Sequence, residues 1–81
     1  MEETTMKIRI EIELDNAAFF DAPGAELGRI LSNLSRYTNE NPDRASLVAA
    51  LGTNKDPRAL FDLNGHMVGT VRTVGRWNAE Y

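Results

Sequence analysis

The one histidine of the chain, His66, follows the run Asp62-Leu63-Asn64-Gly65, and four acids crowd the stretch from Glu11 to Asp21. An imidazole that titrates near neutrality is the usual general base or metal ligand. Its would-be nucleophiles are few. There is no cysteine, and Ser32, Ser35 and Ser46 fall on helical stretches without the glycine-flanked elbow that presents a catalytic serine. Placed directly after a tight turn, His66 reads first as an exposed hairpin residue. Asp62, Asn64 and Gly65 match a fragment of a calcium loop, but the other ligands and the closing glutamate are missing. Gly65 and Gly69 do not follow phosphate-loop spacing and do not open a helix. The expectation is a protein that is not an enzyme, with no cofactor and no metal site.

The remaining acids suit recognition better than catalysis. Glu11 and Glu13 lie two apart and share a strand face, which without an apolar pocket is a solvated face. Asp15 and Asp21 flank a corner that carries an exposed Phe20, and Asn39, Glu40 and Asp43 sit around a second loop. Asn16 is placed to cap a one-turn helix over Ala17-Ala18-Phe19. Phe19, Tyr37 and Phe61 read as core, whereas Trp77 and Tyr81 lie in a tail and are candidate interface anchors. The candidate binding set is therefore Glu11, Glu13, Asp15, Asp21, Asn39, Glu40, Asp43 and Trp77.

The elements that must position these residues follow from periodicity. Met6, Ile8, Ile10, Ile12 and Leu14 alternate with Lys7, Arg9, Glu11 and Glu13, the period of a strand with one face on a core. After a turn at Asp21-Ala22-Pro23-Gly24, Leu27, Ile30, Leu31 and Leu34 recur at helical spacing. That helix is expected to fade near Tyr37, with Glu26 favouring its start through the macrodipole. Asn41 or Asp43 caps a second short helix whose buried stripe is Leu47, Val48 and Leu51 and whose end is Gly52. A hairpin closes the chain around Asn64-Gly65. A two-residue type I′ turn there pairs Leu63 with His66, Phe61 with Val68 and Ala59 with Thr70, with a bulge at Gly69. The predicted fold is α+β, in the order β-α-(α)-β-β, a three-stranded antiparallel sheet with helices on one face. It forms a single domain over residues 1–81, with 1–5 and 75–81 as flexible tails.

Size and charge narrow the partners. A chain of 81 residues buries only about 60% of its unfolded surface. Residues 1–43 carry nine acids against four bases, and residues 44–81 carry five bases against three acids, for a net charge of −3. The scattered bases do not form the basic stripe of a nucleic-acid binder, so direct nucleic-acid binding is not expected. No apolar run is long enough to span a bilayer, no signal peptide is visible, and the absence of cysteine fits a reducing cytoplasm.

Ile-Glu-Ile-Glu-Leu-Asp-Asn-Ala-Ala-Phe at 10–19, Glu26-Leu27, Arg29-Ile30-Leu31, Leu34, and Leu63-Asn64-Gly65-His66 with Val68-Gly69 together resemble a family of small phage and prophage accessory proteins. The matching segments fall within residues 6–74. The pattern usually passes from helix to hairpin by a shorter route, so residues 40–56 look like an insertion, and the tail with Trp77 extends beyond it. In size, acidity and lack of enzyme motifs the chain is also similar to anti-CRISPR proteins, a similarity of class rather than of motif. The resemblance implies a phage-encoded inhibitor in the bacterial cytoplasm. Its acids would occupy the Lys and Arg of a host defence complex, foremost a CRISPR-Cas effector, that otherwise hold nucleic acid. The alternative is a homo-oligomeric assembly or regulatory accessory protein, a homodimer through an open sheet edge.

Overall fold

The computed structural model describes residues 5–77. The chain runs β1 (Lys7–Ile12), a one-turn 3-10 helix (Ala17–Phe19), α1 (Pro23–Glu40), α2 (Arg44–Leu51), β2 (Arg58–Phe61) and β3 (Met67–Val74). The strands form one antiparallel sheet in the order β1-β3-β2, so β3 is central and β1 and β2 are both edges. This is the expected α+β fold. Of the expected tails, residues 1–4 and 78–81 lie outside the described residues, Tyr81 among them.

A single core joins helices to sheet. Phe19, Ile30, Leu34, Leu51, Leu60, Val68 and Val71 form it, with Ile12, Leu27 and Leu47 packed against it. Ile10 stands opposite Val71 in the sheet, so the two side chains share a face. Yet Val71 is fully buried while Ile10 is 43% and Ile8 51% exposed. The apolar face of β1 is thus sealed only at Ile12, because the buried core reaches β2 and β3 and stops short of the outer strand. Leu14, just past β1 and expected on the same core face, is 49% exposed, and three further expectations of burial fail similarly. Leu31, Tyr37 and Phe61 are exposed, Leu31 on the flank of α1 and Phe61 on the sheet face without helices.

Helix ends follow side-chain chemistry. Pro23 opens α1, and the helix runs one turn past Tyr37 to Glu40, where the Asn41 amide donates to the Tyr37 carbonyl at 2.9 Å. Asp43 caps α2 by accepting from the Ser46 N–H at 2.8 Å. Gly52 ends it at φ 85°, where a Cβ would lie 2.6 Å from the Asp56 carbonyl oxygen.

The hairpin differs from its expected form. Gly65 has φ 85°, but Asn64 does not have positive φ, so the turn is not type I′. The Asp62 N–H donates to the His66 carbonyl and the Gly65 N–H to the Asp62 carbonyl, closing a three-residue loop with glycine in the left-handed position. The extra loop residue shifts the register. Ala59 still faces Thr70, but Phe61 now faces Met67, and the irregularity falls at Val68 rather than Gly69. Val68 thereby turns into the core.

Candidate functional site

The acidic corner is built on a rigid turn. As expected, the Asn16 side chain accepts from the Ala18 N–H at 3.0 Å and caps the 3-10 helix. Phe19 plugs that turn into the core at 2% exposure, which throws the next side chain, Phe20, outward at 85%. Asp15 and Asp21 bracket the turn and are both exposed, and Glu13 precedes them on the exposed side of the chain leaving β1. Glu11, one strand repeat earlier, lies 3.9 Å from Arg72 on the open sheet face. An exposed aromatic ring on a segment that also exposes Glu13, Asp15 and Asp21, held by a cap and a buried anchor, is suited to meet a basic protein surface.

The second half of the predicted binding set lies elsewhere. Asn39, Glu40 and Asp43 are exposed at the far end of α1, whose 18 residues set them about 27 Å from Asp21. Asp43 is committed to its cap, and the Ser46 backbone and hydroxyl donors hold its carboxyl below the usual range. Trp77 docks rather than projecting. It is half-buried, with the Arg44 guanidinium 5.1 Å from its ring centre, which ties the chain after β3 to the start of α2. One surface from β1 to Trp77 is therefore two separate ends of the molecule.

Sequence reasoning missed a polar cluster at the hairpin. Glu26, read as a macrodipole residue, is 5% exposed. It binds Arg29 through two hydrogen bonds of 3.0 and 2.9 Å and accepts the Leu63 N–H at 2.9 Å, while Arg29 donates to the Phe61 carbonyl at 3.1 Å. The Arg29 hydrogen bond is the main reason the Glu26 carboxyl sits below its ordinary value, against the opposing effect of burial. The same pairing raises Arg29. Asp62 is buried beside them and accepts the Asn64 and His66 N–H groups, both at 2.8 Å. Burial pushes the Asp62 carboxyl up, but those donors and the adjacent His66 together bring it below its ordinary value. The only signal in the sequence was Glu26 and Arg29 at i, i+3 beside the apolar stripe, a spacing common on solvated helices.

His66 itself is 68% exposed, with Nδ1 3.5 Å from Asp62 Oδ2. A carboxylate behind an imidazole can orient it for proton transfer. Here the same carboxylate first closes the turn through two backbone donors. A shallow cleft of about 210 Å³ between α1 and β2 is lined by Arg29, Tyr37, Arg58, Phe61 and Asp62. Its Arg58 lies over the Tyr37 ring at 3.8 Å and donates to the Ala50 carbonyl at 3.3 Å, linking α1, α2 and β2. Ligand pockets usually enclose about 300 Å³ or more.

Among the described residues, no group of three or more His, Asp or Glu is placed to hold a metal ion, and no helix is long and apolar enough to cross a membrane. Comparison with protein-family models, with curated proteins and with solved structures finds no match to this chain.

Proposed function

We propose that the chain is a non-enzymatic binding protein whose acidic corner occupies a basic, nucleic-acid-holding surface of a bacterial host complex, with a CRISPR-Cas effector as the first target to test. The observation that carries this reading is Phe20, 85% exposed on a capped and anchored turn between Asp15 and Asp21. A large ring fixed in advance loses little conformational freedom on binding, and carboxylates around it favour Lys and Arg on the partner. Blocking those cations removes the phosphate contacts that dominate nucleic-acid affinity. The resemblance of residues 10–19 and 63–69 to phage accessory proteins supports the same reading and a cytoplasmic site of action. Glu13 joins this corner, whereas Asn39, Glu40 and Asp43 belong to the opposite end of α1.

The test is capture of tagged protein from a lysate containing active CRISPR complexes, followed by a target-DNA binding assay with the purified effector. Recovery of Cas subunits is expected, and inhibition is expected to fall at least about tenfold, or 1.4 kcal/mol, for Phe20→Ala. Asp15→Lys with Asp21→Lys should weaken it further as salt is lowered. Unchanged inhibition by both variants would rule out the corner. A second reading, a homo-oligomeric accessory protein, is favoured by one observation, the open edge of β1.

A further inference from the structure

We propose that β1 pairs with β1 of a second copy of this chain, antiparallel, about a two-fold axis through Ile10, doubling the three-stranded sheet. The backbone directions come first. The Glu13 N–H donates to the Val68 carbonyl on β3, so in the alternating antiparallel pattern Glu11, Arg9 and Lys7 also turn their backbone groups toward β3. The N–H and C=O groups of Ile8, Ile10 and Ile12 therefore point away from the sheet. Among the described residues no hydrogen bond to them is found. With Ile10 on the axis, Ile10 meets Ile10 of the second copy and Ile8 meets Ile12, and each such pair can exchange both backbone hydrogen bonds.

The side chains select a copy of the same strand as the occupant. On the open face β1 reads Lys7, Arg9, Glu11, Glu13, basic in its first half and acidic in its second. The antiparallel register about Ile10 sets Lys7 opposite Glu13 and Arg9 opposite Glu11 of the second copy, so every charge meets its opposite. A shift of two residues breaks this match, and a shift of one turns the isoleucines to the wrong face. Within one chain Arg9 stands opposite Arg72, a like-charge pair that Glu11 of the second copy would relieve. On the other face, Ile10 at 43% exposure meets Ile10 and Ile8 at 51% meets Ile12 of the second copy, in a continuous isoleucine strip. The strand carries neither proline nor an inward charge, two of the devices that keep an edge from pairing, and its outward charges are of both signs rather than one repelling sign.

The chain has no cysteine, so a single introduced thiol reports the register. In the proposed pair the Cα atoms of position 10 are about 5.5 Å apart, within disulfide range, whereas those of position 8 are about 14 Å apart. Ile10→Cys should form a disulfide-linked dimer on mild oxidation at least about ten times faster than Ile8→Cys. Equal rates for the two, or no cross-link at position 10 while circular dichroism shows a folded chain, would overturn the register. Sedimentation velocity on the unmodified protein should show a monomer–dimer equilibrium between micromolar and millimolar concentration, and a monomer throughout would overturn the pairing. Arg9→Glu should shift that equilibrium to monomer, and adding Glu11→Arg should restore it. Failure of the double variant to restore the dimer would also overturn the register. Asp15→Lys should leave the dimer intact, so loss of host binding and loss of pairing are separate outcomes.

Discussion

The two edges of this sheet are finished in opposite ways. On β2 the outward carbonyl of Phe61 receives Arg29 and, just beyond the strand, the outward N–H of Leu63 reaches Glu26. Two side chains of α1, locked to each other, thus do for that edge what a neighbouring strand would do. On β1 the outward groups belong to Ile8, Ile10 and Ile12, and α1 sends nothing to them. A helix packed along one edge can seal it only where its side chains reach, and the opposite edge is then left for a partner. The sealed edge holds a buried carboxylate, Glu26, bonded to Arg29 and to the Leu63 N–H, while the open edge keeps its charges outside and patterned.

The strongest way to break this contrast is to detach the open edge altogether. Gly69 on β3 faces Ile12, and a Cβ at position 69 would overlap the Glu11 carbonyl oxygen and press on the Ile12 Cα. Both obstacles are backbone, so β1 itself must move. Gly69→Ala is expected to cost about 3 kcal/mol, a fall in Tm of more than about 10 °C, measurable by thermal denaturation. A variant with unchanged Tm would show that β1 is not held at this crossing.

The next test removes the seal. Glu26→Ala leaves Arg29 without its buried carboxylate and the part-buried Leu63 N–H without its acceptor, so it should lower Tm several times more than Arg36→Ala. Arg36 is a suitable control because it only bonds exposed Asn33 on the same helix, where substitutions stay within about 0.5 kcal/mol. Equal effects would mean that the β2 edge does not need its cap.

Acid should separate the two edges as well. Glu26 and Asp62 have native carboxyl values below those of the unfolded chain. Their contribution to stability is therefore complete above the unfolded value of about 4 and is lost as pH falls through the native values. Urea denaturation between pH 6 and pH 2 should show stability falling below about pH 4, and Glu26→Gln should flatten part of that slope.

How far these features can be read from residue types depends on how local their causes are. Asn16 capping its own turn, Asp43 capping α2 and Gly52 ending it are settled within four residues, and all are visible in the chain before any fold is known. The alternation of β1 was legible for the same reason, but not that β1 would be an edge whose isoleucines stay half open. That depends on strand order, which no local pattern encodes. Asn64-Gly65 announced a hairpin, yet Asp62 decided its form by binding Asn64 and His66, replacing a two-residue turn by a three-residue loop. The Glu26–Leu63 contact spans 37 positions and rests on where α1 crosses the hairpin, so a buried acid looked like a helix-end charge. The candidate binding set divided for a related reason. Adjacency held Asp15, Phe20 and Asp21 together, while the straight length of α1 carried Asn39, Glu40 and Asp43 away.

The smallest effect is also the most direct comparison of the edges. Amide hydrogen exchange reads the Leu63 N–H on the sealed side and the Ile8, Ile10 and Ile12 N–H groups on the open side in one experiment. In dilute solution Leu63, bonded to a buried carboxylate, should exchange at least about ten times more slowly than Ile10, whose N–H faces solvent. Raising the concentration should leave Leu63 unchanged and slow Ile8, Ile10 and Ile12 together, because a strand pairing about Ile10 covers all three amides at once. Slowing of Ile12 alone would indicate a shifted register, and protection of all three in dilute solution would mean that the chain seals this edge itself.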